Sequence, residues 1–238
     1  MKIAIVKLSA LGDIVHAMVV LQFIKNHSQK IEVDWIVDGS FKEVLKHHPD
    51  INKIHEVNIK KVKKKKSLFI LINELRKIRK LGPYDLVIDM QGLIKSALIS
   101  RLIPSPITIG FNRLSIRESI ASIFYNKTFN YGYDKNVIER NVALIDFALG
   151  LNVSKQEIEN KLPFLYSSQR HLNTDLSNTK KNILLVPGAS HKSKCYPVSK
   201  LAKLTTLIDA NFLIIWGDKK EKIMADKIKA LSPSVNVC

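Results

Sequence analysis

Lys7 to Met18 reads K-L-S-A-L-G-D-I-V-H-A-M, and its reading decides the fold. An apolar segment, Ile3 to Val6, runs into it. A helical apolar pattern, Ile14, Val15, Met18, Val19, Leu21 and Phe23, runs out of it. Strand, glycine-containing turn and helix open a nucleotide-binding α/β unit. Yet a dinucleotide fold needs G-x-G-x-x-G here, so that backbone can approach a pyrophosphate, and this loop has Gly12 alone. What it offers is a carboxylate, Asp13. One role for Asp13 is structural: an acid at a helix N-terminus, favoured by the helix dipole. The other is chemical: a carboxylate at a sheet edge can take the proton of a sugar hydroxyl as that hydroxyl attacks. The two roles are compatible.

Outward from this stretch, short β-branched runs alternate with helical patterns. Strands are expected at 3–6, 31–37, 54–59, 86–90 and 106–111. Helices are expected at 12–27, 41–47, 68–81, 93–102, 116–125 and 137–149. The 68–81 helix places Leu68, Leu71, Ile72, Leu75 and Ile78 on one face and stops at Gly82-Pro83. Gly150 closes the last helix. Such alternation argues for an α/β fold with a parallel sheet, whose right-handed crossovers put every strand C-terminus on one edge. Ligands bind at that edge, and Asp13 lies there. The stretch Y-S-S-Q-R-H-L-N-T-D-L-S-N-T-K-K-N, 166–182, reads as a linker between a first domain, 1–165, and the start of a second, 183–238. In the second, strands are expected at 183–186 and 212–216, helices at 198–208 and 219–231, and the chain stops at Cys238 in what reads as a further strand.

The 238 residues suit one large domain or two modest ones, and 46% hydrophobic against 25% charged residues is ordinary globular composition. The charge is not ordinary: 38 Lys and Arg against 21 acidic residues give +17. That balance points to a polyanionic partner, or to an AT-rich genome generous with lysine. Two cysteines allow no disulfide framework and favour a reducing cytosol. The apolar start is too short for a signal peptide, and no run approaches the roughly 18 residues that span a bilayer, so the expectation is a soluble chain able to touch a membrane surface.

Other stretches carry candidate chemistry. K-K-V-K-K-K-K, 60–66, is either a solvated loop or a contact for phosphates or lipid headgroups. It comes without RNA-binding aromatics or zinc-ligand spacing, which argues against nucleic acid. D-M-Q-G-L-I-K-S, 89–96, is a second strand-to-helix turn where Gln91 and Lys95 meet a ligand or serve capping and surface charge. R-L-S-I-R-E-S, 113–119, carries two arginines suited to carboxylate or phosphate. V-P-G-A-S-H-K-S-K-C-Y-P, 186–197, has small residues followed by lysines and is the stronger phosphate-binding candidate of the two halves. Glu221 suits a ribose or the helix dipole. The histidines show no metal-ligand spacing, so no metal site and no cofactor are expected.

K-L-S-A-L-G-D-I-V-H-A-M, D-W-I-V-D, Y-D-L-V-I-D-M-Q-G-L-I-K-S-A-L, R-E-S-I-A-S-I-F-Y-N, V-I-E-R-N and the P-G-A-S…K-C-Y-P block resemble, in this order, the lipopolysaccharide heptosyltransferase family, most nearly its heptosyltransferase I branch. The resemblance spans essentially the whole chain. It implies a GT-B fold of two Rossmann-like domains and metal-independent, inverting transfer of heptose. The N-terminal domain would take the Kdo sugar of a lipid A precursor, and the C-terminal domain ADP-L-glycero-D-manno-heptose. By motif, the base falls on Asp13 and the phosphate-contacting lysine on Lys194. The small hydroxyl pair falls on Ala189 and Ser190, one hydroxyl short, and the ribose acid on Glu221. Acceptor contacts fall on Lys60, Lys61, Lys63, Lys64 and Arg117, with Gln91 added from its place at the sheet edge. The family continues about a hundred residues further, within usual domain sizes, through an Asp-Thr-Gly-x-x-His segment, so the second domain is expected to be truncated here. The implied location is the cytoplasmic face of the anionic inner membrane of a Gram-negative bacterium. The alternatives are a sister glycosyltransferase with another ADP-sugar or heptose step, and a non-catalytic basic surface-binding protein.

Overall fold

The computed structural model describes residues 1–58, 67–167, 175–189 and 191–238, the side chain of Lys192 excepted. The chain divides into two units, Met1–Ser168 and Gln169–Cys238.

In the first unit, β1 (Lys2–Val6) is the centre of a parallel sheet with β2 (Glu32–Asp38), β3 (Lys53–Val57), β4 (Leu86–Asp89), β5 (Thr108–Phe111) and β6 (Lys127–Phe129). The order is β3-β2-β1-β4-β5-β6, the doubly wound arrangement in which chain direction across the sheet reverses between β1 and β4. Register is fixed by Ile3 beside Val33 on one side and beside Leu86 on the other. β1 is apolar on both faces because helices cover both: Ile3 and Ile5 join one core with Trp35 and Ile88, while Ala4 and Val6 join the other with Ile36 and Val87.

The predicted helix at 12–27 is two helices, α1 (Leu11–Met18) and α2 (Val20–His27), broken at Val19. α3 (Leu68–Arg79), α4 (Ile94–Leu102) and α5 (Val137–Leu149) form where expected, and Gly150 caps α5 at φ 66°. The segments predicted helical at 41–47 and 116–125 are 3₁₀ turns, Gly39–Val44 and Ser119–Phe124. β6 and the short α6 (Lys155–Glu159) were not expected. Within α3 only Ile78 is buried, whereas Leu68, Phe69, Leu71 and Ile72 are exposed.

At the sheet's other end, buried Asp34 accepts hydrogen bonds from Asn52 (2.8 Å) and Tyr84 Oη (2.7 Å) and pairs with His55 Nε2 at 3.0 Å. Burial raises its pKa, but these contacts and Lys2 outweigh burial and hold it below the usual value. This cluster is structural and lies away from the ligand edge.

The second unit is a smaller parallel sheet, order β7-β8-β9, from β7 (Asn182–Leu185), β8 (Asn211–Ile214) and β9 (Asn236–Val237). With α7 (Val198–Leu207) and α8 (Lys219–Leu231) it encloses a core of Leu185, Ala202, Phe212, Ile214, Ala225, Ile228 and Val235.

Candidate functional site

Both units carry their candidate residues at strand C-termini. In the first, the loop after β1 meets the loop after β4. The side-chain oxygen of Gln91 accepts the backbone N–H of both Leu8 and Ser9, each at 3.1 Å. Gln91 thus holds the loop that leads to Asp13. It is in turn set by Asp89, whose Oδ1 accepts from the backbone N–H of Gln91 (2.7 Å) and Gly92 (3.2 Å), while Oδ2 accepts from Tyr125 Oη at 2.8 Å. Asp89 has no exposure, and burial pushes its carboxyl up despite these donors. Gly92 has φ +68°, and a Cβ there would meet Ile116 Cγ2 at 2.6 Å, so this turn admits only glycine without rearrangement.

Asp13 sits in the first turn of α1 and is exposed. Its Oδ2 accepts the N–H of Ala10 at 3.1 Å, satisfying one orphan donor of the helix N-terminus. The cleft beside it, about 290 Å³, is lined by Lys7, Asp13, Gln91, Arg117, Arg140 and Asn141, among others. Arg117 is exposed on its wall. Arg140 builds the wall: it donates to the carbonyls of Tyr131 (2.9 Å), Gly132 and Ser115 (2.7 Å) and lies 4.6 Å over the Phe111 ring. Lys7, Arg140 and Asn141 belong to motifs noted in the sequence, yet none carries a sequence-based assignment. Lys60, Lys61, Lys63 and Lys64 lie outside the described residues.

In the second unit, Asp218 caps α8, its Oδ1 accepting from Lys220 N (2.8 Å) and Glu221 N (2.9 Å). Glu221 turns back so that Oε2 accepts the N–H of Gly217 at 2.6 Å. A Cβ on Gly188 would fall onto the Glu221 carboxylate, so the small residue after β7 is what lets Glu221 stand there. Gly188, Ala189, Cys195, Asp218, Lys220, Glu221 and Met224 line a cavity of about 530 Å³. Lys194 is exposed on the 3₁₀ turn Lys192–Lys194, next to the cavity-lining Cys195, and Ser190 lies outside the described residues.

A carboxylate facing a basic cleft in one α/β unit and a second carboxylate beside a glycine turn in another is the layout the sequence resemblance implies. Residues 73–238 match glycosyltransferase family 9 (heptosyltransferase). The chain belongs to this family. It is 40% identical to lipopolysaccharide heptosyltransferase 1 of Campylobacter coli, over 96% of this chain and 68% of that protein. Against lipopolysaccharide heptosyltransferase 1 of Escherichia coli K12 the identity is 26%, over 96% of this chain and 72% of that one. The solved structure of E. coli heptosyltransferase WaaC with ADP superposes with a TM-score of 0.82 at 25% identity, covering all of this chain and 75% of WaaC. WaaC has also been solved with ADP-2-deoxy-2-fluoro heptose, with a TM-score of 0.81. The two parallel α/β units of this family 9 member are therefore those of a GT-B glycosyltransferase.

Proposed function

We propose that this heptosyltransferase moves L-glycero-D-manno-heptose from ADP-heptose to the Kdo of a lipid A precursor, with Asp13 as general base. The observation that carries the reading is Asp13 itself: an exposed carboxylate at the switch point of the sheet, tied through one oxygen to Ala10 and fronting a cleft that also holds Lys7 and Arg117. In the reaction Asp13 takes the proton of the acceptor hydroxyl, whose oxygen forms the new bond to the anomeric carbon. The bond from that carbon to the diphosphate breaks, and ADP leaves with its electron pair. Attack opposite the leaving group inverts the anomeric centre. Arg117, Gln91 and the Lys60, Lys61, Lys63 and Lys64 run serve the acceptor; Ala189, Ser190, Lys194 and Glu221 serve the donor. No metal enters this scheme.

Among the described residues no helix is long and apolar enough to cross a membrane. The lipid acceptor would therefore be met at a surface, the cytoplasmic face of an anionic inner membrane. The high basic excess and the exposed apolar side of α3 support this. The direct test supplies ADP-heptose and Kdo-lipid A vesicles and follows ADP release. Release is expected only with both present. In parallel, binding to vesicles should exceed binding to duplex DNA at equal ionic strength. Preference for DNA with a steep salt dependence, and no release of ADP, would favour a nucleic-acid-binding protein instead.

The donor side makes its own prediction. A carboxylate accepting ribose hydroxyls contributes on the order of 1.5–3 kcal/mol, so Glu221→Ala should weaken ADP binding by roughly 10- to 100-fold in a calorimetric titration. Gly188→Ala should do the same indirectly, by displacing the Glu221 carboxylate. Unchanged ADP affinity in both variants would leave Glu221 as a helix-terminus acid only.

A further inference from the structure

Two buried groups in the cleft beside Asp13 have more donors than partners. Asn141, on α5, is 3% exposed, yet its Nδ2 has no hydrogen-bond partner. Lys7 is 6% exposed; its ammonium has three N–H, and among the described residues only one is hydrogen-bonded, to the Met90 carbonyl at 2.9 Å. Both residues line the same cleft. Buried polar groups are nearly always paired, and leaving one unpaired costs roughly 1–3 kcal/mol. A pair of unmet donors on the wall of a cleft is what a bound acceptor oxygen would satisfy.

The chemistry of that oxygen follows from its surroundings. The hydrogen-bonding oxygens of Asp89, the fully buried acid of this region, are taken by Gln91, Gly92 and Tyr125, so that Asp89, like Asp13, reaches Lys7 by charge alone. Arg140 spends its guanidinium on three carbonyls. The excess is therefore one ammonium and one amide N–H₂, with the Arg117 guanidinium nearer solvent. A sugar hydroxyl brings a donor of its own and one oxygen. A carboxylate brings two acceptor oxygens and no donor, which matches the unmet N–H groups of Lys7 and Asn141. A phosphate monoester brings close to two charges and a third oxygen, and would call on the more exposed Arg117 as well as on these two groups.

We propose that Lys7 and Asn141 form a carboxylate subsite that grips the acid group of an acidic acceptor sugar and so presents its hydroxyl to Asp13. The assignment rests on the acceptor reading given above and adds how the acceptor is recognised. It also explains why V-I-E-R-N carries an asparagine at a buried helix position. Arg140 of that stretch builds the wall, and Asn141 lines the same cleft with its amide nitrogen unpaired.

The test is an NMR titration of the protein with the free acidic sugar Kdo, with its carboxamide, and with inorganic phosphate. Heptose transfer is measured on the same samples. The wild type should bind the acid at least about tenfold more tightly than the amide or phosphate. Lys7→Met and Asn141→Leu, each with its melting temperature checked, should bind acid and amide alike. Equal binding of acid and amide by the wild type, or phosphate binding as tight as the acid, overturns the subsite without recourse to any variant. A preference that survives in both folded variants overturns its assignment to these two residues. A wild type that shows the preference but transfers no heptose supports the subsite and counts against the transferase reading, so the two fail separately.

Discussion

Asp13→Ala should lower kcat for heptose transfer by roughly 10²–10⁴, the usual loss when a general base is removed, and leave ADP affinity near that of the wild type. The loss should fall on kcat because the proton moves only as the new bond forms, so the carboxylate acts in the transition state and not in binding. The complication is that Asp13 also has a structural part, since its Oδ2 accepts the Ala10 N–H at the start of α1. Asp13→Asn separates the two. The amide oxygen can still accept from Ala10, so the helix start survives, while the basicity is gone. The asparagine variant should therefore melt within about four degrees of the wild type, consistent with a dipole contribution of about 0.3–1 kcal/mol. It should nevertheless be as slow as the alanine variant. Near-normal turnover in Asp13→Asn would reduce Asp13 to a helix-terminus acid and move the base elsewhere in the cleft.

The position of Asp13 was legible in the sequence because it depends on local signals. A β-branched strand, one glycine and a helical period place a residue at the sheet edge whatever the rest of the chain does, and right-handed crossovers then generate the 3-2-1-4-5-6 order. Short elements were not legible. β6 is three residues, Lys-Thr-Phe, with no alternation to read, and its strand character comes from pairing with β5. The break between α1 and α2 at Val19 leaves no glycine or proline to announce it.

The site residues that sequence reasoning missed are those whose role is set by burial. Nothing in the sequence around Lys7 marks it as buried; the chain leaving β4 brings the Met90 carbonyl to its ammonium. Asn141 is likewise unmarked in the sequence, yet α5 buries Arg140 and Asn141 along with Val142, Leu144 and Ile145. Gln91 lines the cleft, as its place at the sheet edge suggests, and the part the sequence does not show is that its oxygen holds the Asp13 loop. Gly188 is small enough to let Glu221 stand beside it, and both line the same cavity. In each case the residue type was visible, but the partner lay on a distant segment.

Membrane docking should depend on α3 and on the lysines that precede it, and the two contributions should separate by salt. Two stripes run along α3. Leu71, Leu75 and Ile78 line an apolar groove with Leu98, Ile99 and Leu102 of α4. Leu68, Phe69 and Ile72 form the second stripe, with Leu68 71% and Phe69 72% exposed. Basic residues bracket the helix: the 60–66 run before it, and Arg76, Lys77 and Arg79 in its last turn. An apolar face flanked by cations suits the headgroup boundary of an anionic bilayer. Inserting a Leu and a Phe side chain is worth roughly 1.5–3 kcal/mol each when complete, so even partial insertion predicts about a 10²-fold loss of vesicle partitioning for Leu68→Ser combined with Phe69→Ser. That loss should persist at high salt. Replacing Lys60, Lys61, Lys63 and Lys64 by Ser removes about 1 kcal/mol per lysine near the surface, or roughly 10²–10³-fold, but only at low ionic strength, because added salt screens the same attraction. Both variants should keep the wild-type melting temperature, the first because Leu68 and Phe69 contribute nothing to the core. With a water-soluble, delipidated acceptor the Leu68/Phe69 variant should turn over normally, since neither residue lines the catalytic cleft. Vesicle binding that is unchanged in the Leu68/Phe69 variant, or turnover that falls as much with the soluble acceptor as with vesicles, would remove α3 from the proposed docking surface and leave charge alone as the means of vesicle binding.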